Sequence, residues 1–150
     1  MLKKLYIEPS SACNLNCRMC FRHNWFNEKT GLMDGKTVKN VLEIFKNKQF
    51  GCVFFGGMGE PLMHPDIVSM VNEASLCGKK VELITNATLL TEEVTKKLLA
   101  AGIDTLWVSL DGFSKESYEA IRKGSLYSLV EKTFRILPQI KARQSLELLL

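Results

Sequence analysis

The sequence has 150 residues, 46% of them hydrophobic and 24% charged, with a formal net charge of +4. That is the size and composition of one globular domain with a core, not of a disordered chain. Basic residues alternate with glutamates along helical stretches such as Glu92-Glu-Val-Thr-Lys-Lys97, a solvated pattern that makes no case for nucleic-acid binding.

The apolar runs are far shorter than the roughly 20 residues of a membrane span. Met1-Leu-Lys-Lys leads directly into Leu5-Tyr-Ile-Glu-Pro, with no signal-peptide core. The expectation is a soluble cytoplasmic protein. Its five cysteines are an odd number, which argues for metal binding, catalysis or burial rather than a disulfide framework.

In chain order, Lys4 to Pro9 is apolar-rich and stopped by proline, which predicts a strand. Asp34 to Lys48 carries Val38, Val41, Leu42 and Phe45 at helical spacing behind an Asp34 N-cap. Gly51 to Phe55 is a continuous apolar run closed by Gly56-Gly57, as expected of a strand buried on both faces. Pro65 to Cys77 predicts a helix closed by a left-handed Gly78, and Val81 to Thr85 a strand. Thr91 caps a helix with Glu92 and Glu93 in its first turn and Gly102 at its end. Thr105 to Leu110 is the fourth strand. A short helix, Lys115 to Arg122, precedes a longer one from about Ser125, bent or ended by Pro138. Leu146-Glu-Leu-Leu-Leu150 opens a fifth strand. This alternation at short loop lengths predicts parallel strands joined by right-handed crossovers, an α/β architecture.

In such folds the reactive groups gather at the C-terminal ends of the strands. The unusual motifs all fall there: Cys13, Cys17 and Cys20 after strand one, Gly56-Gly-Met-Gly-Glu-Pro61 after strand two, Thr85-Asn86 after strand three, and Ser109-Leu-Asp-Gly112 after strand four. Three thiolates spaced C-x3-C-x2-C can hold three irons of a cubane cluster and leave the fourth open. A zinc site using His23 as fourth ligand, or plain burial, would also account for the trio. Cys52 and Cys77 read as small apolar fillers. His64 is a turn or cap residue, while His23 could shield the cysteine loop or contact substrate. Trp25 and Phe26 would close over that loop. Arg22 and Arg122 are either surface residues or anchors for an anionic group.

Cys13-Asn-Leu-Asn-Cys17-Arg-Met-Cys20 resembles the C-x3-C-x-Φ-C motif of the radical S-adenosylmethionine (radical SAM) superfamily, with Met19 at the often aromatic Φ position. Gly56-Gly-Met-Gly-Glu-Pro resembles the family's glycine-rich motif, and Trp107-Val-Ser-Leu-Asp-Gly112 is similar to the fourth-strand motif of the branch containing the molybdenum-cofactor enzyme MoaA and the peptide and cofactor maturases. The resemblance implies an N-terminal portion of a (βα)6 partial TIM-like barrel spanning 1–150, with about four βα units and the start of a fifth strand, truncated at its C-terminus. It implies a 4Fe-4S cluster on Cys13, Cys17 and Cys20 whose open iron chelates S-adenosylmethionine. Reductive cleavage of that molecule would give a 5'-deoxyadenosyl radical for hydrogen abstraction from a small-molecule, peptide or protein substrate.

In that light Met19 offers a polarizable surface near the adenine, and Gly56 and Gly57 let backbone approach the methionyl part or simply form a tight turn. Glu60 suits the methionyl amine, unless it is a solvated loop glutamate. Thr85 and Asn86 could meet the ligand's carboxylate or ribose, or form a turn. Ser109 matches a position near the methionyl carboxylate, and Asp111 shares that motif or caps a turn. An electron donor such as flavodoxin or ferredoxin is the implied partner. Leu5-Tyr-Ile-Glu-Pro-Ser-Ser-Ala-Cys and Cys20-Phe-Arg resemble maturases with an additional cluster domain, including ones acting on tungsten or molybdenum oxidoreductases. A zinc-binding structural module and a non-catalytic iron-sulfur or S-adenosylmethionine-binding module remain the alternatives.

Overall fold

The computed structural model describes residues 3–24, 29–47, 49–141 and 147–149. The elements run β1 (Lys4–Ile7), α1 (Gly35–Phe45), β2 (Cys52–Phe55), α2 (Ile67–Leu76), β3 (Lys80–Thr85), α3 (Glu92–Ala100), β4 (Thr105–Val108), α4 (Lys115–Ile121), α5 (Tyr127–Lys141) and β5 (Glu147–Leu149). The sheet order is β1-β2-β3-β4-β5 and every pairing is parallel, in registers such as Ile7 with Phe55 and Phe55 with Leu83. All strand ends that carry the motifs therefore lie along one edge.

The expected punctuation is present. Asp34 accepts from the N–H groups of Lys36 and Thr37, which holds its carboxyl below the usual carboxylate range, and Thr91 accepts from Val94 N–H. Gly78 and Gly102 adopt φ of +69° and +89° after their helices, the left-handed conformation that glycine takes without a Cβ penalty. Two differences have physical causes. Helix α5 starts at Tyr127 rather than Ser125, because Ser125 is buried with its hydroxyl on Tyr118. It then runs through Pro138 to Lys141 rather than ending there, with Leu137 fully buried in the core at that turn. Tertiary packing overrides the proline's local cost. The Trp25 and Phe26 expectation lies outside the described residues.

The strands present two unlike faces. Val53, Phe55, Val81, Leu83, Leu106 and Val108 pack with Phe45, Met70, Val71, Leu98 and Leu137 of the helices to form the core. The alternate positions hold Tyr6, 69% exposed, with its ring tilted against that of Phe54 at a centroid distance of 5.2 Å, and a polar cluster around Glu82. Glu82 accepts from Lys4 Nζ (2.9 Å), Trp107 Nε1 (3.0 Å) and Cys52 Sγ (3.5 Å). Cys52 is thus more than an apolar filler: it donates to a carboxylate, and burial pushes its thiol pKa up to about 11, with Glu82 adding to the effect. Burial would push the Glu82 carboxyl up, but its hydrogen bonds to Lys4, Trp107 and Cys52 outweigh this and hold it below the ordinary range.

A lowered folded-state pKa means that the unfolded chain takes up the proton first on acidification. The contribution of Glu82 to stability is accordingly full above the ordinary glutamate range and is lost as pH falls through the lowered value. Glu82→Gln is expected to cost about 2 kcal/mol at neutral pH. Denaturant melts of both chains should show that gap narrowing under strong acid.

Candidate active site around the cysteine loop

Beyond β1 the chain turns sharply, and backbone hydrogen bonds set its course. Ser10 forms an antiparallel bridge with Leu32, and Ser11 N–H donates to Gly31 O (2.9 Å). The cysteine loop is then tied to the turn after α4: Asn16 N–H reaches Lys123 O and Arg18 N–H reaches Ile121 O, each at 2.8 Å. Leu15 is buried at 4% exposure, and Arg22 Nη2 donates to its carbonyl (2.7 Å). A 3-10 turn, Phe21–Asn24, follows Cys20, and His23 Nε2 donates to Cys17 O (2.7 Å), so the histidine closes the loop on itself.

The glycine-rich loop packs directly against this segment. Glu8, at the end of β1, accepts from Met58 N–H and, at 3.3 Å, from Gly59 N–H. A Cβ on Gly57 would lie 2.6 Å from Glu8 Cδ, and one on Gly56 2.5 Å from Ile84 Cγ2. A Cβ on Gly59 would overlap the Ser10 carbonyl and come within 2.6 Å of Ala12 O. These glycines allow neighbouring loops to approach. Gly59→Ala is therefore expected to destabilise the protein by about 3 kcal/mol, because its obstacles are backbone atoms that cannot rotate away; a thermal melt would register the loss. Neither Gly59 nor Glu8 was singled out from the sequence, and only the turn-rich spacing of Gly56-Gly-Met-Gly hinted at the first.

Glu60 is 2% exposed, the opposite of a solvated loop glutamate. Its Oε1 accepts from Leu62 N–H (3.0 Å), where it caps a 3-10 turn, Pro61–Met63, and from Thr85 Oγ1 (2.8 Å). Its Oε2 accepts from Asn86 N–H (2.8 Å). Burial raises its carboxyl pKa, while these three donors and Arg122 pull the other way. The carboxylate clamps the end of β3 to the end of β2. Beyond that clamp Ala87 is held at φ 62°, a left-handed conformation uncommon in a residue with a Cβ and sustained here by the surrounding bonds.

Asn86 links the third loop to the first. Its side-chain amide donates to Asn14 Oδ1 (2.9 Å) and Cys13 Sγ (3.7 Å) and accepts from Thr88 N–H (2.9 Å). Just past β4, Ser109 N–H donates to Thr85 O (2.9 Å). Asp111 stands behind the rim, paired with Arg122, which is 8% exposed and whose Nε has no hydrogen-bond partner among the described residues. Arg122 is thus a buried cation rather than a surface arginine. Its position near the cysteines has no signal in the sequence, because α4 alone brings it there. His64 caps the Pro61–Met63 turn as expected, its N–H on Pro61 O and its Nδ1 accepting from Asp66 N–H, and it also links elements through Nε2 on Met33 O (2.9 Å).

Cys13, Cys17, Met19, Cys20, Gly57, Glu60, Thr85, Asn86, Ser109 and Arg122 share the wall of one cavity of ≈ 170 Å³, whereas Gly56 and Asp111 lie outside it. All three cysteines are free thiols. Burial pushes the Cys17 thiol up, Cys13 and Cys20 add to this, and Arg122 opposes it. Among the described residues no group of three His, Cys, Asp or Glu side chains is arranged to hold a single metal ion. The donor set fits a polynuclear group: three soft sulfurs on one cavity wall, a sulfur-directed N–H at Cys13, and a buried cation facing the negative charge such a group carries.

Fold and site together define an α/β chain of the partial-barrel type, with a three-thiol loop at the C-terminal edge of its sheet. Residues 7–144 match the Radical SAM superfamily model, and the chain belongs to that superfamily. It is 40% identical over 111 residues to the tungsten-containing aldehyde ferredoxin oxidoreductase cofactor-modifying protein of Pyrococcus furiosus, an alignment covering 73% of this chain and 31% of that protein. It is 33% identical over 115 residues to the AdoMet-dependent heme synthase of Methanosarcina barkeri, covering 77% and 33%. Its fold matches native anSMEcpe with bound AdoMet at a TM-score of 0.77 and 26% identity, over 98% of this chain and 42% of that one. The chain thus spans about a third of the length of these curated relatives. Among the described residues no helix is long and apolar enough to cross a membrane.

Proposed function

We propose that this chain is the cofactor-holding part of a radical SAM enzyme of cofactor or peptide maturation, with Cys13, Cys17 and Cys20 each binding one iron of a 4Fe-4S cluster. The carrying observation is that the three free thiols, the glycine loop and the ends of β3 and β4 all border one cavity. Held by these three thiols, such a cluster would supply the single electron for reductive cleavage of S-adenosylmethionine to methionine and a 5'-deoxyadenosyl group able to take hydrogen from a substrate.

The chain's own residues bind and orient. Gly57 and Gly59, in a loop pinned by Glu8, let backbone border the methionyl portion on either side of Met58. Glu60 offers negative charge to its amine, and Arg122, steadied by Asp111, offers positive charge to its carboxylate with Ser109 alongside. Thr85 and Asn86 close the wall between them, Met19 lies where an apolar adenine face would rest, and Gly56 lets β2 and β3 approach behind it. Residues 1–150 are read as the N-terminal portion of the barrel core. The name of the Pyrococcus furiosus relative supports a cofactor-maturation substrate, and a one-electron carrier such as flavodoxin or ferredoxin is the fitting donor.

Anaerobic reconstitution with iron and sulfide, reduction in the presence of S-adenosylmethionine, and assay for 5'-deoxyadenosine test this reading. Product is expected. An intact cluster that yields none would reduce the chain to a binding module, and a colourless zinc protein would replace the proposal with a structural metal site.

A further inference from the structure

We infer that Asn86 sets the reduction potential of the cluster by donating an N–H···S hydrogen bond to Cys13, with Thr88 locking its amide in the donating orientation; this rests on the cluster assignment proposed above. Asn86 is only 5% exposed. Its Oδ1 accepts from Thr88 N–H (2.9 Å), a group that can only donate, so a flipped amide would set two donors against each other. Thr88 Oγ1 reinforces the lock: it accepts from Asn14 Nδ2 (2.8 Å), which leaves its proton for Asn86 Oδ1 at 2.6 Å. The amide nitrogen must therefore face the cysteine loop. Its two hydrogens find two acceptors there, Asn14 Oδ1 (2.9 Å) and Cys13 Sγ (3.7 Å).

The backbone is fixed as well, since Asn86 N–H is held by Glu60 Oε2 and the next residue by its left-handed φ of 62°. With both amide hydrogens and its oxygen already committed, Asn86 serves the sulfur rather than a ribose or carboxylate. Adding an electron to a cluster increases the negative charge on its sulfurs, so a donor at Cys13 stabilises the reduced state more than the oxidised one. The backbone N–H of Leu15 (3.5 Å) acts on the same sulfur in the same sense. Asn86 is thus a positioning residue that makes the cluster easier to reduce.

The test is the midpoint potential of the reconstituted cluster, without S-adenosylmethionine, in the native chain, Asn86→Leu and Asn86→Asp. Loss of the donor in Asn86→Leu is expected to lower the reduced-to-oxidised ratio at a fixed ambient potential about tenfold, a shift of about 59 mV for one electron. Asn86→Asp should fall further, because an oxygen then faces the sulfur. Unchanged potentials in variants with full iron content would overturn the inference while leaving the cluster assignment intact. Should the variants fail to hold a cluster, the native chain decides, with asparagine labelled by nitrogen-15 at the side-chain amide. Hyperfine coupling of that nitrogen to the reduced cluster is expected, and its absence would overturn the proposal. A native chain that takes up no cluster would defeat the parent reading and this one with it.

Discussion

Alanine at any one of Cys13, Cys17 or Cys20 is expected to abolish cluster assembly and, with it, all 5'-deoxyadenosine. The three thiols are the soft donors of the cavity wall, and two cannot hold the three irons that three can. Cys17 is the informative position. It is 9% exposed and its loop is held by the contacts of Asn16, Arg18, Arg22 and His23, so Cys17→Ala removes a ligand with little change in loop backbone. Iron and sulfide content together with circular dichroism separate ligand loss from unfolding. His23→Ala sharpens the result: its Nε2 is engaged by Cys17 O, so an iron-sulfur site should keep its metal, whereas a zinc site with histidine as fourth ligand should lose it.

Substitution of Glu60 is expected to have the second largest effect. Glu60→Ala would leave Leu62 N–H, Asn86 N–H and the Thr85 hydroxyl without their acceptor in a buried place, and should cost about 4 kcal/mol. Glu60→Gln keeps the shape but turns one acceptor into a donor, so one backbone N–H is orphaned and about 2 kcal/mol is lost. The pH dependence runs opposite to that of Glu82. Burial raises the folded-state pKa of Glu60, so on acidification the folded chain takes up this proton before the unfolded chain does. Its contribution is most favourable below the ordinary glutamate range and diminishes as pH rises through the raised value. Native and Glu60→Gln chains melted across the acid-to-neutral range should therefore differ most in slope where Glu60 titrates.

Much of the fold was legible because the signals are local. The short apolar run Cys52 to Phe55 announced a strand, although only the Val53 and Phe55 face enters the helix-covered core while Phe54 on the other face is half-buried beside Tyr6. Asp34 and Thr91 cap because a short oxygen-bearing side chain before a helix meets its free N–H groups, and Gly78 and Gly102 end helices because they lack a Cβ. The grouping of Cys13, Cys17 and Cys20 with the glycine loop, Thr85, Asn86 and Ser109 followed from the same logic, since parallel strands bring their ends to one edge.

Side-chain partnership across loops was not legible, because it depends on distances between segments far apart in the chain. The sequence by itself determined the strand-helix alternation, the superfamily resemblance and which loops share a rim. Only the tertiary structure decided that Glu60 is a buried clamp rather than a solvated carboxylate, that Asp111 steadies Arg122 from behind the cavity, and that helix α5 passes through Pro138. It also decided that Asn86 faces Cys13, since a donor and an acceptor 73 residues apart declare themselves only when packing has fixed both. Periodicity and capping act over a few residues, whereas burial and hydrogen-bond orientation are properties of the assembled chain.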